Sequence, residues 1–74
     1  MATIIIKNWR EGLQKLSLTK LQTDILAKSL KEAKENVDLL LDGVEVRIEI
    51  NNILAAREFI DKANQIGANC ILET

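Results

Sequence analysis

Few side chains in this 74-residue sequence carry chemistry suited to catalysis. There is no histidine, so the usual general base near neutral pH is missing. Cys70 is the single cysteine and stands beside Ile71 and Leu72, where a thiol reads as a small buried hydrophobe rather than a nucleophile. A zinc site therefore has almost no ligands, and a disulfide framework has no second cysteine. The two serines, Ser17 and Ser29, fall at helix starts, where a hydroxyl serves the backbone. Glu45 and Glu49 alternate with Arg47, which describes a solvated, ion-paired strand face better than an acid/base pair. Gly12, Gly43 and Gly67 lie far apart, so no glycine-rich phosphate loop exists. The residues predict no enzyme, no cofactor and no metal.

Charge is more informative than reactivity. Ten Lys and Arg stand against eleven Asp and Glu, a net of −1. Residues 1–34 hold seven basic side chains and three acidic, net +4, while residues 35–74 hold three and eight, net −5. On a helix, Lys20, Asp24, Lys28 and Lys31 recur at spacings of three and four, which gathers them on one side. That pattern fits an ordinary solvated face or a surface for an acidic protein. Nucleic acid is a poorer match, because the isoelectric point is near 5.3 and the only aromatics are Trp9 and Phe59.

Such a surface needs elements to hold it. Thr3-Ile4-Ile5-Ile6-Lys7 is a β-branched run that reads as a strand over 3–7, buried on both faces, with Asn8–Gly12 as a loop carrying Trp9. Leu18, Leu21 and Ile25 share one helical face, predicting a helix over 18–27. Ser29-Leu30-Lys31-Glu32 has the form of a capping box, with Ser29 at the start and Glu32 reaching back. A second helix over 30–41 then packs Leu30, Ala33, Val37 and Leu40 or Leu41 inward and ends at Asp42-Gly43. One unbroken helix over 18–41 is the competing reading. Val44, Val46, Ile48 and Ile50 alternate with Glu45, Arg47 and Glu49, a half-buried strand over 44–50. Asn52 is suited to cap a helix over 53–66 built on Ile53, Ala56, Ile60 and Ala63, which Gly67 closes before a short strand over 69–72. The order β-α-α-β-α-β predicts an α+β fold, a two-layer sandwich with three helices on one face of a three-stranded sheet.

Ile, Leu and Val supply 24 of the 74 residues, which excludes a disordered tail. No apolar run approaches the roughly 18 residues of a membrane span, and no signal-peptide pattern opens the chain. The expectation is a single soluble domain over 1–74, located in the cytoplasm.

The stretch Leu30-Lys31-Glu32-Ala33-Lys34, followed by Val37-Asp38, resembles the glycine-leucine-lysine-glutamate-alanine-lysine segment in the C-terminal domain of the bacterial ribosomal stalk protein of the large subunit. The order of elements is similar too, from Ile4-Ile5-Ile6-Lys7 to Gly67-Ala68-Asn69-Cys70-Ile71 at the end. The resemblance implies a non-catalytic domain that contacts translational GTPases through its first two helices. It puts the family's helix lysine at Lys20, its apolar contact at Leu30, a further lysine at Lys34 and one at the start of the first helix at Lys15. The family's arginine is Thr23 here, and its glycine before the leucine is Ser29. The full stalk protein also carries a dimerisation domain and a hinge that attach it to the ribosome, and these 74 residues hold neither. A protease adaptor that recognises destabilising N-terminal residues is similar in fold, but it needs Asn-Asp after its first strand and a histidine, where this chain has Asn8-Trp9 and none.

The expected contact set is thus Lys15, Lys20, Lys28, Leu30, Lys31 and Lys34, facing an acidic protein. The alternative is a small structural or regulatory homodimer that uses the open sheet face or a sheet edge.

Overall fold

In the computed structural model, which describes residues 2–73, the elements follow the predicted order. Strand β1 spans Ala2–Trp9, helix α1 Lys15–Leu26, helix α2 Leu30–Leu41, strand β2 Val46–Ile50, helix α3 Ile53–Gln65 and strand β3 Ala68–Glu73. The sheet runs β2-β1-β3, with β1 antiparallel to both neighbours. This is the expected small α+β fold.

Sequence alternation decides which way each strand faces. Val46 and Ile48 are buried, while Arg47 and Glu49 between and beyond them are exposed. Ile4 and Ile6 pair with Ile48 and Val46 on one side and with Leu72 and Cys70 on the other. These residues meet Leu18 of α1, Val37 and Leu40 of α2, and Ala56, Phe59 and Ala63 of α3 in one core. The α2 helix packs over β1 and β2, α3 packs over β1 and β3, and α1 lies against both helices.

The other face of the sheet carries no helix, yet Ile5 at its centre is only 2 % exposed. Beside Ile71, which faces it on β3, the cover comes from Arg47. It lies opposite Ile5 on β2, and its guanidinium reaches Glu45 at 3.1 Å and Glu73 of β3 at 3.8 Å. To reach β3 the side chain must cross β1, so its methylenes lie over Ile5 while its charged head stays in water. The β1 run is thus buried on both faces, as its three isoleucines predicted.

The helix ends explain the segmentation. Ser29 Oγ accepts from the Glu32 N–H at 3.2 Å, and Ala27 takes a left-handed backbone at φ +54. That break makes two helices rather than one. Only half of the capping box forms, because the Glu32 carboxylate pairs with Lys28 at 3.8 Å instead of turning back to the cap. Asn52 Oδ1 accepts from the Ala55 N–H at 3.1 Å, as its position predicted.

Several boundaries differ from the sequence expectation. Trp9 belongs to β1, not to a loop: the register with β3 slips by one between Ile6 and Asn8, and the strand continues past this bulge to pair Trp9 with Ala68. The α1 helix begins at Lys15 rather than 18, because the Gln14 N–H is held by the Ile66 carbonyl at 3.0 Å. Val44 and Glu45 precede β2, and Val44 is exposed rather than inward. Leu30, expected on the core face of α2, is 57 % exposed, because the buried stripe is Ala33, Val37 and Leu40.

Candidate protein-binding face

Two helices carry the predicted contact residues, and a buried amide fixes how they meet. Gln22 of α1 is fully buried and its Nε2 donates to the Ala33 carbonyl of α2 at 3.1 Å and to the Leu18 carbonyl at 3.4 Å. Its Oε1 accepts from Asn36 Nδ2 at 2.9 Å. Every polar atom of that amide group is thereby engaged, so the cost of burying it is met. Gln22 and Asn36 mark the flanks along which α1 and α2 touch.

The lysines can be located from those marks. On α2, Lys34 lies about 160° around the helix from Asn36, and Leu30 about 120°. Both therefore sit on the flank turned away from α1, with Lys31 on the solvent side of it. On α1, Lys20 lies about 160° around from Gln22, turned away from α2. It lines a cleft of about 400 Å³ between α1 and α3 with Ser17, Leu21, Asp24, Lys62, Gln65 and Ile66. Lys15 is the first, exposed residue of α1, and Lys28 lies in the link between the helices, paired to Glu32. Lys20 and Lys34 thus face opposite edges of the helical layer, and the structure brings together only the head of α2, with Leu30, Lys31 and Lys34.

Sequence spacing missed two participants. Lys62 comes from α3, distant in the chain, to stand across the cleft from Lys20. Arg10 reaches both Asn69 Oδ1 and the Asn64 carbonyl, clamping the end of β1 to the turn between α3 and β3. Asn64 itself brackets Cys70: its Oδ1 accepts from the Cys70 N–H and its Nδ2 donates to the Cys70 carbonyl, both at 3.3 Å. No apolar periodicity signals either contact.

Burial pushes the Cys70 thiol up to about 12, because a thiolate there would lose its hydration. At neutral pH it stays protonated, the opposite of an activated nucleophile. Among the described residues, no group of three or more His, Cys, Asp or Glu side chains could hold a metal ion, and no helix is long and apolar enough to cross a membrane. No family model and no curated protein matches the chain.

Proposed function

We propose that the domain acts by binding a protein with an acidic surface, without catalysing a reaction, through the head of α2. Leu30 carries this reading. It is a leucine 57 % exposed on the first turn of a helix, flanked by Lys31 and Lys34, which have no ion pair among the described residues. A leucine held in water beside free cations supplies an apolar anchor and a polar rim, the usual composition of a recognition patch. The likeness of Leu30–Lys34 to the stalk-protein segment supports the same assignment and makes a cytoplasmic translational GTPase the first partner to try. Lys15 and Lys20 of α1 belong to a separate surface and act through the field they create.

The test is association with an immobilised, purified translational GTPase. Leu30→Ala should speed dissociation, and Lys34→Glu should slow association, since complementary charge acts mainly on encounter. Binding should weaken as salt shortens the screening length from about 10 Å at 0.1 M to about 3 Å at 1 M. A loss confined to Lys20→Glu would move the contact to the cleft between α1 and α3. Unchanged binding in all three folded variants, or no binding by the wild type, would refute the assignment.

A further inference from the structure

The β2 strand has a strand neighbour on one side only, so a row of its backbone N–H and C=O groups faces away from the sheet. Its five residues, Val46-Arg47-Ile48-Glu49-Ile50, contain no proline and no glycine, and its pairing with β1 has no bulge. They lack the devices that usually blunt an edge, apart from alternating charge. That charge is self-complementary. We propose that two copies of this chain pair through β2, antiparallel about a two-fold axis at Ile48, into a continuous six-stranded sheet.

The register follows from the sequence. A slip by one residue would set Val46 and Ile48 against charged residues on the wrong face, and so is excluded. A shift by two residues sets Arg47 opposite Arg47 of the second copy in one direction, or Glu49 opposite Glu49 in the other. The register that overlaps the whole strand places Ile48 opposite Ile48, Val46 opposite Ile50, and Arg47 opposite Glu49 twice by symmetry. In the single chain, Arg47 pairs with Glu45 and Glu73, and its side chain remains 59 % exposed. Such loose surface pairs cost little to release, so the guanidinium can turn from Glu73 toward Glu49 of the second copy.

The helical layer permits the same pairing. The α2 helix packs over β1 and β2. Extending the sheet by one strand spacing of about 4.8 Å sets the two α2 helices about 10–14 Å apart, within reach of their longer side chains. A two-fold axis there runs the two α2 helices antiparallel to each other. The flank of α2 turned away from α1 then meets its own copy in reverse. Leu30 and Lys34 lie on that flank. The proposal does not rest on the partner reading above, but both use the Leu30 flank, so self-pairing and partner binding exclude each other.

Sedimentation of the whole chain over a dilution series tests this. The wild type should form a dimer that dissociates on dilution. Glu49→Arg and Arg47→Glu should each raise the dissociation constant about tenfold or more, because each sets like charges opposite each other twice. Because Arg47→Glu also removes the cover of Ile5 and the pairs to Glu45 and Glu73, the comparison uses variants that circular dichroism shows to be folded; among these the combined Arg47→Glu, Glu49→Arg exchange should return it to within about threefold of wild type. Wild-type amide exchange gives a reading free of substitutions: protection of the β2 N–H groups directed away from β1 should fall as the protein is diluted. A wild type that stays monomeric to its solubility limit overturns the proposal. So does a dimer indifferent to either single change, an exchange variant as weak as the singles, or β2 protection that does not depend on concentration.

Discussion

Gly67 and Gly43 both follow helices and both hold a left-handed backbone, at φ +102 and φ +86. Replacing each with alanine separates conformational strain from crowding. A Cβ at Gly43 would meet nothing within 4 Å, whereas one at Gly67 would lie 2.9 Å from Leu13 Cα and 3.3 Å from Leu13 N. Leu13 has little room to retreat. The Arg10 N–H donates to the Gly67 carbonyl at 2.7 Å and the Gln14 N–H to the Ile66 carbonyl at 3.0 Å, pinning the loop on both sides. Left-handed backbone costs a non-glycine residue about 1–2 kcal/mol, and the stiffer unfolded chain returns about 0.4–1. Gly43→Ala should therefore destabilise by about 0.5–1 kcal/mol. Gly67→Ala adds the displaced loop, and each pinning hydrogen bond it weakens is worth about 1 kcal/mol, for a total of about 2–4. In a domain of this size 1 kcal/mol moves the melting temperature by about 4–8 °C, so Gly67→Ala should melt about 5–25 °C below Gly43→Ala. Guanidinium and thermal unfolding by circular dichroism would show it. Equal losses for the two variants would refute the loop-on-turn packing from which the difference is derived.

Two further outcomes follow from local geometry. Ser29→Ala should lose about 0.5–2 kcal/mol in denaturant melts, because it removes the acceptor for the Glu32 N–H; a neutral result would show that α1 and α2 run together in solution. Cys70 should resist iodoacetamide at pH 8 in the folded state and react on addition of denaturant, and equal rates would refute its burial. Its folded pKa lies above the unfolded value, so folding favours the protonated thiol. That contribution is full below about pH 9 and is lost as pH rises toward 12, at about 1.4 kcal/mol per pH unit, a slope Cys70→Val should abolish.

The elements were legible in the sequence because each was written at its own period. Alternation in Val46–Ile50 and the helical spacing of Ala33, Val37 and Leu40 describe burial directly. Where the period breaks, prediction failed for a physical reason. The slip between Ile6 and Asn8 lets β1 continue through residues that no longer keep the original alternation, so Trp9 read as loop. Gln22 reads as polar, yet it is fully buried, since hydropathy records the side chain and not the carbonyl of Ala33 waiting for it. Arg47 reads as a solvated charge, yet its stem shields Ile5.

The basic half of the chain illustrates the limit most clearly. Counting charges along residues 1–34 suggests one lysine-rich face, but α1 packs between two helices, and its neighbours occupy different flanks. Gln22 commits one flank of α1 to α2, which leaves Lys20 to face α3, where Lys62 awaits it across the cleft. Asn36 commits the matching flank of α2, which turns Leu30 and Lys34 outward over the open edge of the sheet. The buried amide of Gln22 and the half-buried amide of Asn36 thus divide a single stretch of charge into two surfaces. The surface bearing Leu30 stands beside β2, so whether a foreign protein or a second copy occupies it depends on the same few residues: Leu30 and Lys34 on the helix, Arg47 and Glu49 on the strand. Arg47→Glu and Glu49→Arg discriminate between those occupants, because they oppose a second copy while leaving the lysines of α2 unchanged for an acidic partner.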